Sequence, residues 1–221
     1  MITDLIHQAL EANGFSKVHE KQTTGFYVRE SGTAIRFAIL HRLENLMAPG
    51  DLNAAINQSA PVEFTTDPAF KKNCDLICIH QLDKLAEFKK HEEQIFEIEE
   101  DPHFYKKYVL YYSETEVEAI KNLDFEKLKE LLQDKSQFNI YKNDPTAATK
   151  YSVAAKIFIK LPFLQLPINK AELVPLRLQI EEAVAESELT NIYNTIKHNS
   201  QINVEDLIKE MISNELENFK N

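Results

Sequence analysis

The residue types best suited to hold a transition metal are Cys74, Cys78 and His80, in the run NCDLICIH. Thiolate and imidazole are zinc ligands, and on an extended strand all three side chains would leave the same face. At a rise of ~3.3 Å per residue, however, positions 74 and 78 stand ~13 Å apart, whereas a zinc–sulfur bond is ~2.3 Å long. One ion cannot bridge a straight strand of that span, so the apolar surroundings predict core packing. Two cysteines also suit a reducing compartment better than a disulfide framework. His91 and His103 lie among acids but make no helix-spaced histidine pair. Phosphate cradles need closely spaced glycines so that backbone can approach the anion. The chain has four, Gly14, Gly25, Gly32 and Gly50, none at phosphate-loop spacing. No cofactor is expected, and any use of ATP is assigned to another chain.

Hydrolytic chemistry has one further candidate. Magnesium-dependent phosphodiester cleavage calls for an acidic residue and an E-x-K tripeptide on adjacent strands. Glu87-Phe88-Lys89 is the tripeptide, but periodicity puts it in a helix, and Asp75 has no obvious carboxylate partner. No G-x-S-x-G elbow is present. A helix, a hairpin and a βαβ unit are still similar in order to the restriction-endonuclease core. A metal-dependent nuclease with a degenerate motif is therefore the alternative to the preferred reading, a chain with no catalytic residues of its own.

The stretch EEDPHFYKKYVLYY, residues 99–112, offers binding chemistry instead. Glu97, Glu99, Glu100 and Asp101 gather at a predicted helix C-terminus, where negative charge opposes the dipole by roughly a few tenths of a kcal/mol per group. A solvated face is the plain explanation, and contact with a basic partner surface is the sharper one. Lys106 and Lys107 are the candidate nucleic-acid contacts. The formal net charge of −10 argues against a large sequence-independent grip on a polyanion. On a strand, Phe104, Tyr108, Leu110 and Tyr112 would point one way and Tyr105, Val109 and Tyr111 the other. Apolar groups on both faces predict an interior strand covered by helices rather than an exposed aromatic platform.

The positioning elements follow from periodicity. Residues 3–13 predict a helix with Thr3 as N-cap and Leu5, Ile6, Ala9 and Leu10 on one face, ended by Gly14. Residues 22–43 predict a hairpin turning at Ser31-Gly32. A helix from Asp51 follows, with Leu52, Ala55 and Ile56 inward. Asp75–His80 predicts a strand buried on both faces. Residues 84–99 predict a helix with Leu85, Phe88, Ile95 and Phe96 inward, stopped by Pro102. Ser113 and Glu116 form a capping box after the second strand. Strand, helix, strand, helix makes the two strands parallel neighbours. Asp124 caps a helix through Phe125, Leu128, Leu131 and Leu132, and QFNIYKNDPTAATK is expected to be irregular or to hold a short strand. An apolar segment broken by Pro162 and Pro167, then helices near 175–186 and 188–197, complete the second half. A final helix from 204 carries the stripe Val204, Leu207, Ile208, Met211, Ile212, Leu216 and Phe219. Leu207, Met211, Leu216 and Phe219 are candidate partner contacts if that face does not pack on the chain's own core.

The fold class is thus α/β (α+β), a mixed sheet with a βαβ unit covered by helices and a helical C-terminal half. Residues 1–121 form the sheet-containing region and 122–221 the mainly helical region, as two parts or as one continuous domain. At 221 residues with 43% hydrophobic and 27% charged content, the chain can bury a substantial core. No run of ~18 apolar residues predicts a membrane span. The opening MITDLIHQALEANGF lacks the basic and apolar regions of a secretory signal, so a cytoplasmic location is expected.

Residues 95–120, IFEIEEDPHFYKKYVLYYSETEVEAI, resemble the type-one middle component of ABC-three-component systems. The glutamate-rich helix end, EEDP before aromatics, the lysine pair and the YVLYY strand carry the likeness, which centres on residues 74–120. What the resemblance implies is bacterial anti-phage or anti-plasmid defence of the Lamassu-like kind. The middle protein would be a non-catalytic accessory subunit, assembled with an SMC-like coiled-coil ATPase and an effector. The family transfers no functional residues to this chain.

Overall fold

The computed structural model describes residues 2–167, 175–198 and 204–218. The chain divides into two compact units, Met1–Ile168 and Asn169–Asn221. The first contains α1 (Ile2–Ala12), β1 (Ser16–Lys21), β2 (Thr24–Ser31), β3 (Ala34–Leu43), α2 (Pro49–Ser59), α3 (Val62–Thr65) and β4 (Cys74–Leu82). A 3-10 turn, Leu85–Glu87, then leads into α4 (Phe88–Glu100), β5 (Lys106–Ser113), α5 (Glu114–Ala119), α6 (Phe125–Gln133), α7 (Lys135–Asn143) and α8 (Lys150–Lys160).

The five strands form one mixed sheet in the order β1-β2-β3-β4-β5. β1, β2 and β3 are antiparallel. β3, β4 and β5 are parallel. Each parallel step needs a crossover, supplied by α2 and α3 between β3 and β4 and by α4 between β4 and β5. Two steps in the same direction with the same right hand place all three helices on one face. The other face is left for α1 and the later helices α6 and α8.

Strand alternation separates the two cores accordingly. Tyr27, Ala38, Leu40, Ile77, Ile79, Leu110 and Tyr112 pack with Leu5, Ile6, Ala9 and Leu10 of α1 and with Leu128, Val153 and Ile157. Phe26, Phe37, Ile39, Leu76, Cys78 and Val109 pack beneath Leu52, Ile56, Ile95 and Ile98. Phe64 and Phe70 close that side with ring centroids 4.9–5.5 Å from Phe37 and Tyr105. Such edge-on and tilted aromatic contacts add ~0.5–1.5 kcal/mol beyond area burial. The Ser31-Gly32 turn, β4, the parallel β4–β5 pair, the Ser113–Glu116 capping box and the Asp124 cap are all present where the sequence spacing puts them.

Five expectations are corrected. β1 is an additional strand, turning into β2 through left-handed Gln22. Every residue of β1 is exposed, so it had no apolar alternation to betray it. α1 starts at Ile2, so Thr3 lies within its first turn. In α2 the third inward residue is Asn53, and Ala55 faces out. In α4 Ile98 is buried while Phe96 is 41% exposed. The segment after Asp134 is helix α7, initiated by the Asp134 carboxylate accepting from the Ser136 and Gln137 amides.

The second unit holds α9 (Leu176–Glu186), α10 (Thr190–His198) and α11 (Val204–Asn218). Among all described residues, no helix is long and apolar enough to cross a membrane.

Candidate functional site

The acidic helix end and the lysine pair meet in the loop from α4 to β5, but the two lysines have opposite fates. Neighbours on a strand point to opposite faces. Lys106 is exposed, whereas the Lys107 side chain has no exposed surface. Its ammonium lies 2.8 Å from the Asp101 carboxylate and donates to the carbonyls of Asp101, His103 and Tyr105. Asp101 also accepts from Asn53 Nδ2 at 2.9 Å and from the His103 amide. Burial works to raise the Asp101 carboxyl, but the hydrogen bonds from Lys107, Asn53 and His103 hold it below its ordinary value. Lys107 thus acts as the loop's internal cation. Its carbonyl ligands fix a chain path in which Phe104 adopts φ +66°, a left-handed conformation rare for a bulky residue. Phe104 is exposed beneath the Lys71 ammonium, 4.7 Å from its ring centroid.

The four acids divide in the same way. Glu97 and Glu100 are exposed. Glu99 turns inward, accepting from the Val109 amide at 2.7 Å and pairing with Lys160 of α8 at 2.5 Å. Among the described strands β5 pairs with β4 alone, so it is a sheet margin and not the interior strand expected from its apolar faces. Val109 N–H points off that margin, where Glu99 meets it. Lys156 Nζ meets the neighbouring Tyr111 carbonyl at 3.2 Å. Lys156 also pairs at 2.7 Å with Glu116, whose side chain is fully buried. Glu116 accepts from Ser113 N at 3.1 Å to complete its capping box and from Ser152 Oγ at 3.2 Å. Burial pushes the Lys156 ammonium below its ordinary value, and Glu116 opposes that shift. The paired side chains of α4, α5 and α8 therefore close the β5 margin, which would otherwise offer bare backbone to another strand.

A second polar group occupies the N-terminal ends of the parallel strands. Arg29 stands opposite Arg36 across β2 and β3, and Asp75 opposite Lys106 across β4 and β5. Arg36 donates to one Asp75 oxygen through Nε at 2.9 Å and Nη2 at 2.7 Å. Burial pushes the Asp75 carboxyl up, with Arg36 opposing. Arg36, Lys72, Asn73, Asp75 and Lys106 line a cavity of about 230 Å³. Lys72 and Arg36 carry no local signal in the sequence, because only sheet register brings positions 36, 72 and 106 together.

Among the metal and nuclease candidates, Cys74 and Cys78 are buried free thiols in the core beneath α2 and α4. Burial pushes both thiols up, Cys78 to about 12. His80 donates through Nδ1 to the Leu43 carbonyl at 3.2 Å. Glu87-Phe88-Lys89 stays on a helical surface, where Glu87 pairs with Lys90 and Lys89 with Glu92. Among the described residues no three His, Cys, Asp or Glu side chains are grouped to hold a metal.

In the second unit, large apolar side chains face outward. Leu176, Leu178, Ile180, Leu189, Ile192 and Ile196 are exposed on α9 and α10 or beside them. On α11, Ile208, Ile212 and Leu216 are 49–57% exposed, and Met211 is half-buried. Leu207's side chain and Phe219 lie outside the described residues.

Residues 36–136 match the family model described as ABC-three component (ABC-3C) system Middle Component 1. The match runs from β3 into α7, so it includes Arg36, Asp75, the Glu97–Lys107 loop and the Glu116 cap. The α9–α11 helices lie beyond it. No curated protein and no solved structure matches the chain.

Proposed function

We propose that the chain is a non-catalytic accessory subunit, the middle component of an ABC-three-component defence assembly of the Lamassu-like kind. Its partners would be an SMC-like coiled-coil ATPase and an effector of the same system, in the bacterial cytoplasm. The match over residues 36–136 carries this reading. The outward apolar faces of α9, α10 and α11 support it, since exposed apolar surface on this scale marks interaction sites. Glu97 and Glu100 are the acids of the α4 end with side chains turned to solvent, and they form the contact proposed for a basic partner surface. Glu99 and Asp101 hold the fold.

The test is an affinity pull-down of the tagged protein from its native host, read by mass spectrometry. Stoichiometric recovery of a long coiled-coil ATPase is expected. It should be lost on Ile208→Glu with Ile212→Glu and weakened by Glu97→Lys with Glu100→Lys. Recovery of the protein alone overturns the reading. The nuclease alternative keeps the order of helix, antiparallel strands and parallel crossover in its favour. Mg²⁺-dependent DNA cleavage that disappears on Asp75→Asn would establish it.

A further inference from the structure

We infer that the cavity between Arg36, Lys72 and Lys106 is a binding site for a phosphate oxyanion, either free on a small phosphorylated molecule or part of a nucleic-acid backbone. Three separate parts of the chain deliver its cations. Arg36 comes from β3, Lys72 and Asn73 from the approach to β4, and Lys106 from the start of β5. Among the described residues the one acid lining it, Asp75, is 2% exposed and already engaged by the Arg36 guanidinium at 2.7 and 2.9 Å. That pair fixes the guanidinium plane and cancels one charge, while Lys72 and Lys106 remain. Neither lysine makes an ion pair among the described residues, although Glu99 and Glu100 line the adjoining cleft with both.

The surrounding charge points the same way. Arg29, opposite Arg36 in register, is anchored over the Phe15 ring and to the Asn13 carbonyl, and it adds a fourth positive group at this end of the sheet. The chain as a whole carries −10. Gathering three cations around one carboxylate in a single concavity costs self-repulsion that a bound dianion would relieve. A guanidinium plane flanked by two ammonium groups is suited to phosphate oxygens, the guanidinium giving direction and the lysines giving charge. This site is independent of the accessory-subunit reading, because it concerns the first unit's own chemistry and its test needs no partner.

The test uses the full ¹⁵N-labelled chain titrated with inorganic phosphate at constant ionic strength, against chloride. Saturable shifts of the Asn73, Asp75 and Lys106 amides are expected. The Lys72→Gln/Lys106→Gln double variant should weaken binding by about tenfold for each ammonium group removed. Both lysines are exposed, so the double variant keeps the fold while Arg36 and Asp75 stay paired. A labelled single-stranded oligonucleotide, followed by anisotropy across a KCl series, separates the two sources. If the ligand is a nucleic-acid backbone, the double variant flattens the log–log salt slope by about 0.7 per lysine replaced. If phosphate binds in the cavity but the oligonucleotide slope is unchanged, the ligand is a small phosphorylated molecule. Absence of the amide shifts, or shifts indifferent to the double variant, overturns the inference.

Discussion

Replacing Lys156 with Met isolates the buried ion pair that joins α8 to the capping box of α5. Met keeps most of the aliphatic stem, so little packing is lost. The Glu116 side chain, with no exposed surface, keeps Ser113 N at 3.1 Å and Ser152 Oγ at 3.2 Å but loses its cation at 2.7 Å. The Tyr111 carbonyl on the sheet margin loses its donor as well. Removing one member of a buried pair costs ~3–5 kcal/mol, whereas a surface pair would cost ~0–1 kcal/mol. For a unit of this size that is a fall in Tm of roughly 10 °C, at about 2–4 °C per kcal/mol. The assay is urea and thermal unfolding followed by near-UV circular dichroism. The chain has no tryptophan and eight tyrosines, all but Tyr193 within the first unit, so the signal reports that unit. Glu116→Gln retains a capping side chain, and the double variant should recover ~0.5–3 kcal/mol relative to the sum of the singles. A loss below ~1 kcal/mol for Lys156→Met, or strict additivity, would refute the assignment.

Four further outcomes are expected. Lys107→Met should cost ~3–5 kcal/mol by stranding Asp101 and the loop carbonyls, whereas Lys106→Met should stay within ~0.5 kcal/mol; paired urea curves compare them. Gly25→Ala should destabilise by ~1–3 kcal/mol, because its new Cβ would meet the Tyr27 ring at 3.0 Å, and the same crowding should shift the His7 ring resonances through the Tyr27–His7 hydrogen bond. The Asp101 carboxyl is held low in the folded chain, so its stabilisation is complete above the unfolded value of about 3.9 and is lost as pH falls through the folded value. Asp101→Asn should therefore remove part of the acid sensitivity seen when unfolding curves at neutral and strongly acidic pH are compared. Cys74 and Cys78 should resist a disulfide thiol reagent at neutral pH until the chain unfolds, since burial disfavours both thiolates.

What can be read from the sequence depends on whether an element's neighbours leave a local trace. DLICIH is legible because helices cover both faces of β4, and Ser113–Glu116 because a capping box is complete within four residues. α7 leaves no trace: it buries none of its residues, and Phe138 and Ile140 are exposed. β1 is hidden for the same reason. The site is legible by composition but not by direction. The acids and lysines of residues 97–107 stand out in the sequence, yet strand alternation sends Lys106 and Lys107 to opposite faces and the helix turn sends Glu99 inward. Arg36 and Asp75 are 39 positions apart, and no local pattern announces a pair that only parallel register creates.

The closed margin at β5 limits how this sheet can grow. Endless stacking of one sheet onto the next requires two receptive margins on every copy, one to give and one to take. Here Glu99, Lys156 and the Glu99–Lys160 clasp occupy one of them, leaving β1 as the other. Among the described strands, addition between copies is then left to β1 against β1, a contact that uses itself up after two chains. Growth of a fibre through the β5 margin is opposed by three side chains, which already occupy the Val109 N–H and the Tyr111 carbonyl.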